Sequence, residues 1–251
     1  MELIEYDRMA ALEERYWWFL GLRAMVCRTL RSELGGKDGL RILDAGCGTG
    51  GQMAWLSKAF PGSFLAGSDV AAAAIGYSAQ RNVGRLAYAS VNDLPFKDGF
   101  FDAVLSIDVL VLKGVDDDAA VREAYRVLRP GGVLIANVAA FEWLRGAHDV
   151  ATHMRHRYRR DEVHRLLAAH GFRVRRLTYW NFLLLPVVFI VRRFLRPADG
   201  DPRPLSDLQP LPGVLNWLLT RLVKLDTRLC SLVRAPAGSS IFAVARKPQD
   251  R

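Results

Sequence analysis

The chain has 251 residues and a net charge of +9, with 51% hydrophobic and 24% charged residues. That suffices for one globular domain with a full core, or for such a domain carrying a large insertion. Three cysteines, an odd number with no Cys-x-x-Cys pair, argue against a zinc site and predict reduced thiols in a cytoplasmic protein. The acidic N-terminus, with Glu2, Glu5 and Asp7, is wrong for a secretory leader. Part of the positive charge is local. Nine arginines lie between Arg145 and Arg176, against Asp149, Asp161 and Glu162. Either an anionic partner or a solvated basic face accounts for them, and no nucleic-acid motif accompanies them.

Residues 1–34 read as helix. Within it, Tyr16-Trp17-Trp18-Phe19 cannot all face one side. These aromatics, with Arg23 a turn further on, suit either a helix docked on the domain edge or a lid over a ligand. The apolar run Leu40–Leu43 then ends in Asp44, and glycines follow at 46, 48, 50 and 51. This is the pattern of a buried strand turning tightly into a helix with its backbone amides exposed to a ligand. A helix follows near Gln52–Ala59. A second strand, Ser63–Ser68, ends in Asp69, about 20 residues past the turn, where a carboxylate suits the two hydroxyls of a ribose.

A helix over Ala71–Gln80, a strand over Arg85–Ala89, a strand over Phe101–Ile107 ending at Asp108, a helix over Asp116–Leu128 and a strand over Val133–Val138 continue the alternation. Five alternations argue for a parallel sheet covered on both faces, with its site at the carboxyl ends of the strands. Phe141–Tyr158 is irregular and rich in chemistry, holding His148, Asp149, His153, Arg157 and Tyr158. A helix over Arg159–His170 and a strand over Phe172–Tyr179 follow. The pattern then breaks. Phe182–Val191 is apolar but too short to span a bilayer. Pro197–Pro212 reads as loop, and Val214–Val233 has leucines near helical spacing. Gly238–Ala245 closes the chain as a last strand. The chain thus divides into a helical lid (1–35), a cofactor-binding core (36–180), a helical insertion (181–237) that serves as substrate, dimer or membrane contact, and a final strand with its tail (238–251).

The glycine turn fits both G-x-G-x-x-G and G-x-G-x-G patterns. Asp44 beside it would repel a pyrophosphate and favour a ligand carrying an ammonium and a sulfonium. Asp44-Ala-Gly-Cys-Gly-Thr-Gly50, Asp69, Leu94-Pro95-Phe96 and Arg126-Val-Leu-Arg-Pro-Gly-Gly132 together resemble the class I S-adenosylmethionine-dependent methyltransferases, in particular those with the type-11 methyltransferase domain. The aromatic Trp17-Trp18-Phe19 stretch resembles an N-terminal signature of bacterial members.

The resemblance implies a Rossmann-like, doubly wound, seven-stranded sheet, mostly parallel, with the last strand antiparallel between strands five and six. It implies S-adenosylmethionine as cofactor, becoming S-adenosylhomocysteine, and no metal. Asp44, Gly46, Cys47, Gly48 and Gly50 would hold its methionine part, with Arg23 and Asp108 nearby. Asp69 and Val70 would hold the ribose side. Asn92 and Asp93 would stand at the adenine edge, where Ser90 replaces the family's frequent acid.

The implied reaction is in-line methyl transfer to an O or N nucleophile of a small-molecule, glycan or lipid-linked acceptor. His148, then His153, are the candidate general bases. Tyr16, Trp17, Asp149, Arg157 and Tyr158 are candidate substrate contacts. The alternatives are a nicotinamide-dependent oxidoreductase and a non-catalytic cofactor-binding protein. A monomer or homodimer is expected, cytoplasmic or peripheral at a membrane.

Overall fold

The computed structural model describes residues 2–195 and 206–249. The expected loop over Pro197–Pro212 lies largely outside them. The elements are α1 (Leu3–Leu12), α2 (Trp17–Leu34), β1 (Arg41–Ala45), α3 (Gly51–Ala59), β2 (Phe64–Asp69), α4 (Ala72–Gln80), β3 (Arg85–Tyr88), β4 (Phe101–Ile107), α5 (Asp117–Val127), β5 (Leu128–Ala139), α6 (Ala147–Ala151), α7 (Arg160–Ala169), β6 (Arg173–Trp180), α8 (Leu185–Ile190), α9 (Gly213–Leu232) and β7 (Ser240–Arg246). A single π-helical turn, Val191–Leu195, continues α8.

The seven strands form one sheet in the order β3-β2-β1-β4-β5-β7-β6. The first five run parallel, and β7 is antiparallel to both neighbours. This is the architecture expected from the sequence. The central strands are buried on both faces, so they read as nearly continuous apolar runs such as Ala103–Leu105 and Val133–Ala136. The chain reverses strand order on either side of β1 and β4. That switch point opens a crevice at the carboxyl ends of the strands, where open α/β sheets bind ligands.

Two elements depart from the sequence reading. The N-terminal helix is two helices, broken at Glu13–Tyr16, because Glu13 turns inward to a buried polar cluster and Tyr16 becomes the extended cap of α2. The break lets the four aromatics fan out. Tyr16 is buried, and Trp18 packs 5.7 Å from Trp180. β5 also begins earlier than expected, at Leu128. Its register shifts against β4 between Phe101 and Ala103, and this bulge absorbs Pro130-Gly131-Gly132.

The motifs Leu94-Pro95-Phe96 and Arg126–Gly132 are tied physically. Arg126 donates to the carbonyls of Leu94 (2.7 Å) and Phe96 (2.8 Å), while Glu123 accepts from the Leu94 amide (2.8 Å). α9 lies across α2. Gly21 permits the crossing, since a Cβ there would stand 2.6 Å from Val223.

Candidate active site

One cavity of about 470 Å³ runs along the carboxyl ends of β1, β2 and β4, under α1 and the start of α2. Its floor at one end is the turn from β1 to α3. Gly46, Gly48 and Gly50 all have positive φ there, which glycine adopts without the Cβ penalty. A Cβ on Gly46 would come within 2.3 Å of Val109. The amides of Gly46 and Cys47 bond the Ser68 carbonyl, and the Gly48 amide bonds an oxygen of Asp69 at 3.0 Å. The other Asp69 oxygen accepts from the Ala71 amide at 2.9 Å. Both oxygens keep lone pairs free for hydroxyl donors. Burial raises the Asp69 pKa despite these bonds.

Asp44 is almost fully buried, yet it lines the cavity. Burial, reinforced by the charges of Asp69 and Glu13 and opposed by Arg23, pushes its carboxyl up to about 8. A cationic ligand group would repair that imbalance. Cys47 lines the same end. Burial, with Asp44 and Asp69, pushes its thiol up, so it stays protonated and serves as a small wall residue.

The roof is fastened by a cluster that the sequence reading missed. The Glu13 carboxylate accepts from Arg23 (2.8 Å), Arg81 (2.6 Å) and the Thr49 hydroxyl (2.5 Å). Arg23 also reaches the Glu13 carbonyl (2.7 Å), and Arg81 reaches that of Thr49 (2.7 Å). Arg23, expected to touch cofactor, does line the cavity, but two of its nitrogens are committed to Glu13. Its Nε is buried without a partner. Tyr6 and Met9 of α1 also face the cavity. Only the charged Glu13-Glu14-Arg15 run, set between Ala10–Leu12 and the aromatics, hinted at this cluster. Arg81 carried no local signal.

Ala89, Ser90 and Val91 form the wall beyond Asp69, beside Val70. Asn92 and Asp93 are not brought to the cavity. The Asn92 side chain bonds the Gly114 carbonyl (3.2 Å) and the Asp116 amide (3.1 Å), bridging two loops, and Asp93 faces solvent. Gly50 likewise shapes the turn without lining the cavity, packed against Ser78.

The other end of the cavity is formed by Trp17, Trp18, Asp108, His148, Arg157, Val188, Arg192 and Asp207. Asp108 has φ +53, and its carboxylate accepts from Asn137 at 2.9 Å. Burial pushes it up to about 7, against that bond and the nearby arginines.

His148 is partly buried, and its Nδ1 accepts from the Asp207 amide at 3.3 Å. A backbone N–H can only donate, so the hydrogen of the neutral ring sits on Nε2. Burial lowers its pKa and keeps it neutral. His153 stands at the rim, half-exposed, with Nε2 2.6 Å from Glu2.

Asp149 is not a free substrate contact. It is fully buried, paired with Arg157 at 2.6 and 3.0 Å and capping the Gly146 amide, because the short α6 needs an anchor. Tyr158 is also buried away from the cavity, its hydroxyl donating to the Leu110 carbonyl. Tyr16 lines the cavity but gives its hydroxyl to the Asp207 carbonyl at 2.9 Å. Among the described residues, no group of three or more His, Cys, Asp or Glu side chains is placed to hold a metal ion.

Comparison with known proteins bears on the family and the fold. The sequence model of the family described as "Methyltransferase domain" matches residues 43–136. The chain is 36% identical over 101 residues to a fatty-acid O-methyltransferase of Mycolicibacterium smegmatis, covering 39% of this chain and 36% of the relative. It is 31% identical over 186 residues to a malonyl-[acyl-carrier protein] O-methyltransferase of Geobacter sulfurreducens, covering 67% and 66%. The matched segments therefore span between about a third and two thirds of these relatives' own lengths. Among solved structures, the geranyl diphosphate C-methyltransferase of Streptomyces coelicolor A3(2), in complex with Mg2+, geranyl-S-thiolodiphosphate and S-adenosyl-L-homocysteine, superposes with a TM-score of 0.58 at 19% identity. That likeness covers 89% of this chain and 76% of the other, and it is one of fold. From the matched motifs, the strand order and these relatives, the chain belongs to the class I S-adenosylmethionine-dependent methyltransferases.

Proposed function

We propose that the protein transfers a methyl group from S-adenosylmethionine to an O or N nucleophile of a small, amphiphilic or lipid-linked acceptor. The observation that carries this is the pairing, in one cavity, of a cation-seeking carboxylate at Asp44 with a diol-seeking carboxylate at Asp69, 25 residues apart in sequence and joined by the Gly48 turn. A pyrophosphate on this turn would bring anionic charge, and no cation, to the buried Asp44 carboxyl, which disfavours the nicotinamide reading.

In this reading Asp44 and the turn from Gly46 to Thr49 hold the methionine part, with Arg23 opposite. Asp69 and Val70 hold the ribose, and Ala89–Val91 flank the adenine. The bound cofactor supplies an activated methyl group on a sulfonium, so the protein's share is mainly alignment and exclusion of water. Positioning of this kind contributes up to about 7–11 kcal/mol. Residues 2–35 act as the roof that excludes water, pinned by Glu13. Trp17, Trp18, Val188 and Leu208 give the acceptor end an apolar wall, in keeping with acyl-bearing substrates like those in the relatives' names.

Proton handling is assigned to Asp108 and His148. With its basic nitrogen occupied by the Asp207 amide, His148 presents Nε2–H and orients the acceptor as a donor. Asp108, poised near neutrality on the same wall, takes the acceptor's proton. His153, tied to Glu2 at the rim, is left outside this step.

The test is incubation with methyl-labelled S-adenosylmethionine and polar and lipid extracts, followed by mass spectrometry of the labelled product. Label in no fraction, from protein that binds S-adenosylhomocysteine, would refute catalysis while leaving cofactor binding intact. Activity unchanged in Asp108→Asn would remove the proton assignment.

A further inference from the structure

α9 has three distinct faces. The inner face is fully engaged. Val223 packs on Gly21, Asp226 accepts from the amides of Asn181 (2.8 Å) and Leu183 (2.9 Å), and Thr227 accepts from the Trp180 indole (3.2 Å). With 3.6 residues per turn, Leu215, Leu218, Leu222, Leu225, Leu229 and Leu232 then fall within an arc of about 100° on the outside. All six are exposed, each by 41% or more. Next to that stripe run Arg221, Lys224 and Arg228, all exposed. The guanidinium of Arg221 stacks over the exposed Trp217 at 5.1 Å. The only acid on the helix, Asp226, is the buried one.

The inner contacts show that these leucines are not core residues awaiting packing; the helix is already seated. A contiguous apolar stripe bordered by cations with no exposed acid is the signature of a helix lying in the plane of an anionic bilayer. A second copy of the chain fits less well. A twofold contact through this stripe would crowd arginines and lysines against their own copies, with no carboxylate on the face to relieve them. Among the described residues no helix is long and apolar enough to cross a membrane, so the contact is with the surface.

The same helix holds a residue of the cavity wall. Trp17, which lines it, donates its amide to Asn216 of α9 at 3.0 Å. α8 contributes Val188 to the cavity wall while Val187 and Ile190 lie exposed.

We infer that the outer face of α9 docks the protein on an anionic lipid surface, with the acceptor end of the cavity beside the bilayer, so that the acceptor is a lipid or lipid-anchored molecule. The docking stands on α9 alone, whereas the acceptor class rests on the methyl-transfer reading.

The test is co-sedimentation of the full chain with vesicles of phosphatidylglycerol and phosphatidylcholine (3:7) and of phosphatidylcholine alone, with S-adenosylhomocysteine titrations run in parallel. Binding is expected to the anionic vesicles and to weaken with salt. Leu222→Asp/Leu229→Asp should lower partitioning at least tenfold. Arg221→Ala/Arg228→Ala should lower it roughly 25-fold, at about fivefold per basic residue. Both variants should keep wild-type circular dichroism and S-adenosylhomocysteine affinity.

Failure of the wild type to sediment with anionic vesicles would overturn docking, as would full binding by the leucine variant. So would a wild-type dimer in analytical ultracentrifugation that Leu222→Asp/Leu229→Asp splits, since the stripe would then be a self-interface. Vesicle binding without S-adenosylhomocysteine binding would leave docking in place and sink only the methyl-transfer reading.

Discussion

The buried carboxylate of Asp44 makes cofactor binding a proton-linked event. Its pKa of about 8 in the ligand-free protein leaves about a tenth of the molecules ionised at pH 7. A ligand ammonium selects the ionised form, so apparent affinity at pH 7 is about tenfold below its limit, or about 1.4 kcal/mol. Between pH 6 and pH 8 affinity should rise about 50-fold, and near pH 7 almost one proton should leave on binding.

Calorimetric titration with S-adenosylhomocysteine at three pH values, in two buffers of different ionisation heat, measures both quantities. Asp108, pushed up to about 7, and Asp69, raised by burial, also line the cavity. Asp108→Asn should keep the proton release, and Asp44→Asn should lose it together with most of the affinity.

The ligand-free protein carries the matching stability signature. The folded pKa of Asp44 lies above the unfolded value near 3.8, so the stabilisation it gives is complete below the unfolded pKa and is lost as pH rises through about 8. Asp44→Asn should melt higher than wild type at pH 8, with the gap closing toward pH 4. Affinity independent of pH, with no proton exchanged in the wild type, would refute the reasoning.

Glu13→Gln removes the acceptor shared by Arg23, Arg81 and Thr49. Breaking a buried ion pair from one side costs about 3–5 kcal/mol, so the melting temperature should fall and amide exchange across residues 3–12 should speed up. Gly46→Ala drives a methyl into Val109 from a positive-φ position. A cost of about 1–3 kcal/mol and loss of S-adenosylhomocysteine binding are expected, read by denaturant melts and calorimetry. Burial lowers the His148 pKa, so its neutral form supports the fold above the unfolded value near 6.5. That support drains away as pH falls below about 6.5, and a thermal melt series from pH 7 to pH 5 should show a shallower loss for His148→Gln.

The sheet was readable from the sequence because its central strands are buried on both faces, and because β1, β2 and β4 each carry an aspartate at or beside the carboxyl end. Asp44, Asp69 and Asp108 mark the crevice for that reason. The roof was not readable. Glu13 meets Arg23, Thr49 and Arg81 across 10, 36 and 68 residues, and no local period encodes such a meeting. His148 was found by position, but its Asp207 partner lies 59 residues away, and that partner decides which nitrogen carries the hydrogen. Asn92 and Asp149 looked available because sequence shows residue type without showing commitment; loop bridging and a buried arginine had already claimed them. The leucines of α9 were visible as a period, but which of them face outward depends on Gly21, Asp226 and Thr227.

The most direct test of the central claim is a crystal structure of the complex with S-adenosylhomocysteine. The ligand amino group should lie on the Asp44 carboxylate, the ribose diol on Asp69 and the adenine against Ala89–Val91. A complex with the ligand elsewhere, or a cavity that takes up NAD with its pyrophosphate on the Gly46–Gly50 turn and excludes S-adenosylhomocysteine, would contradict it.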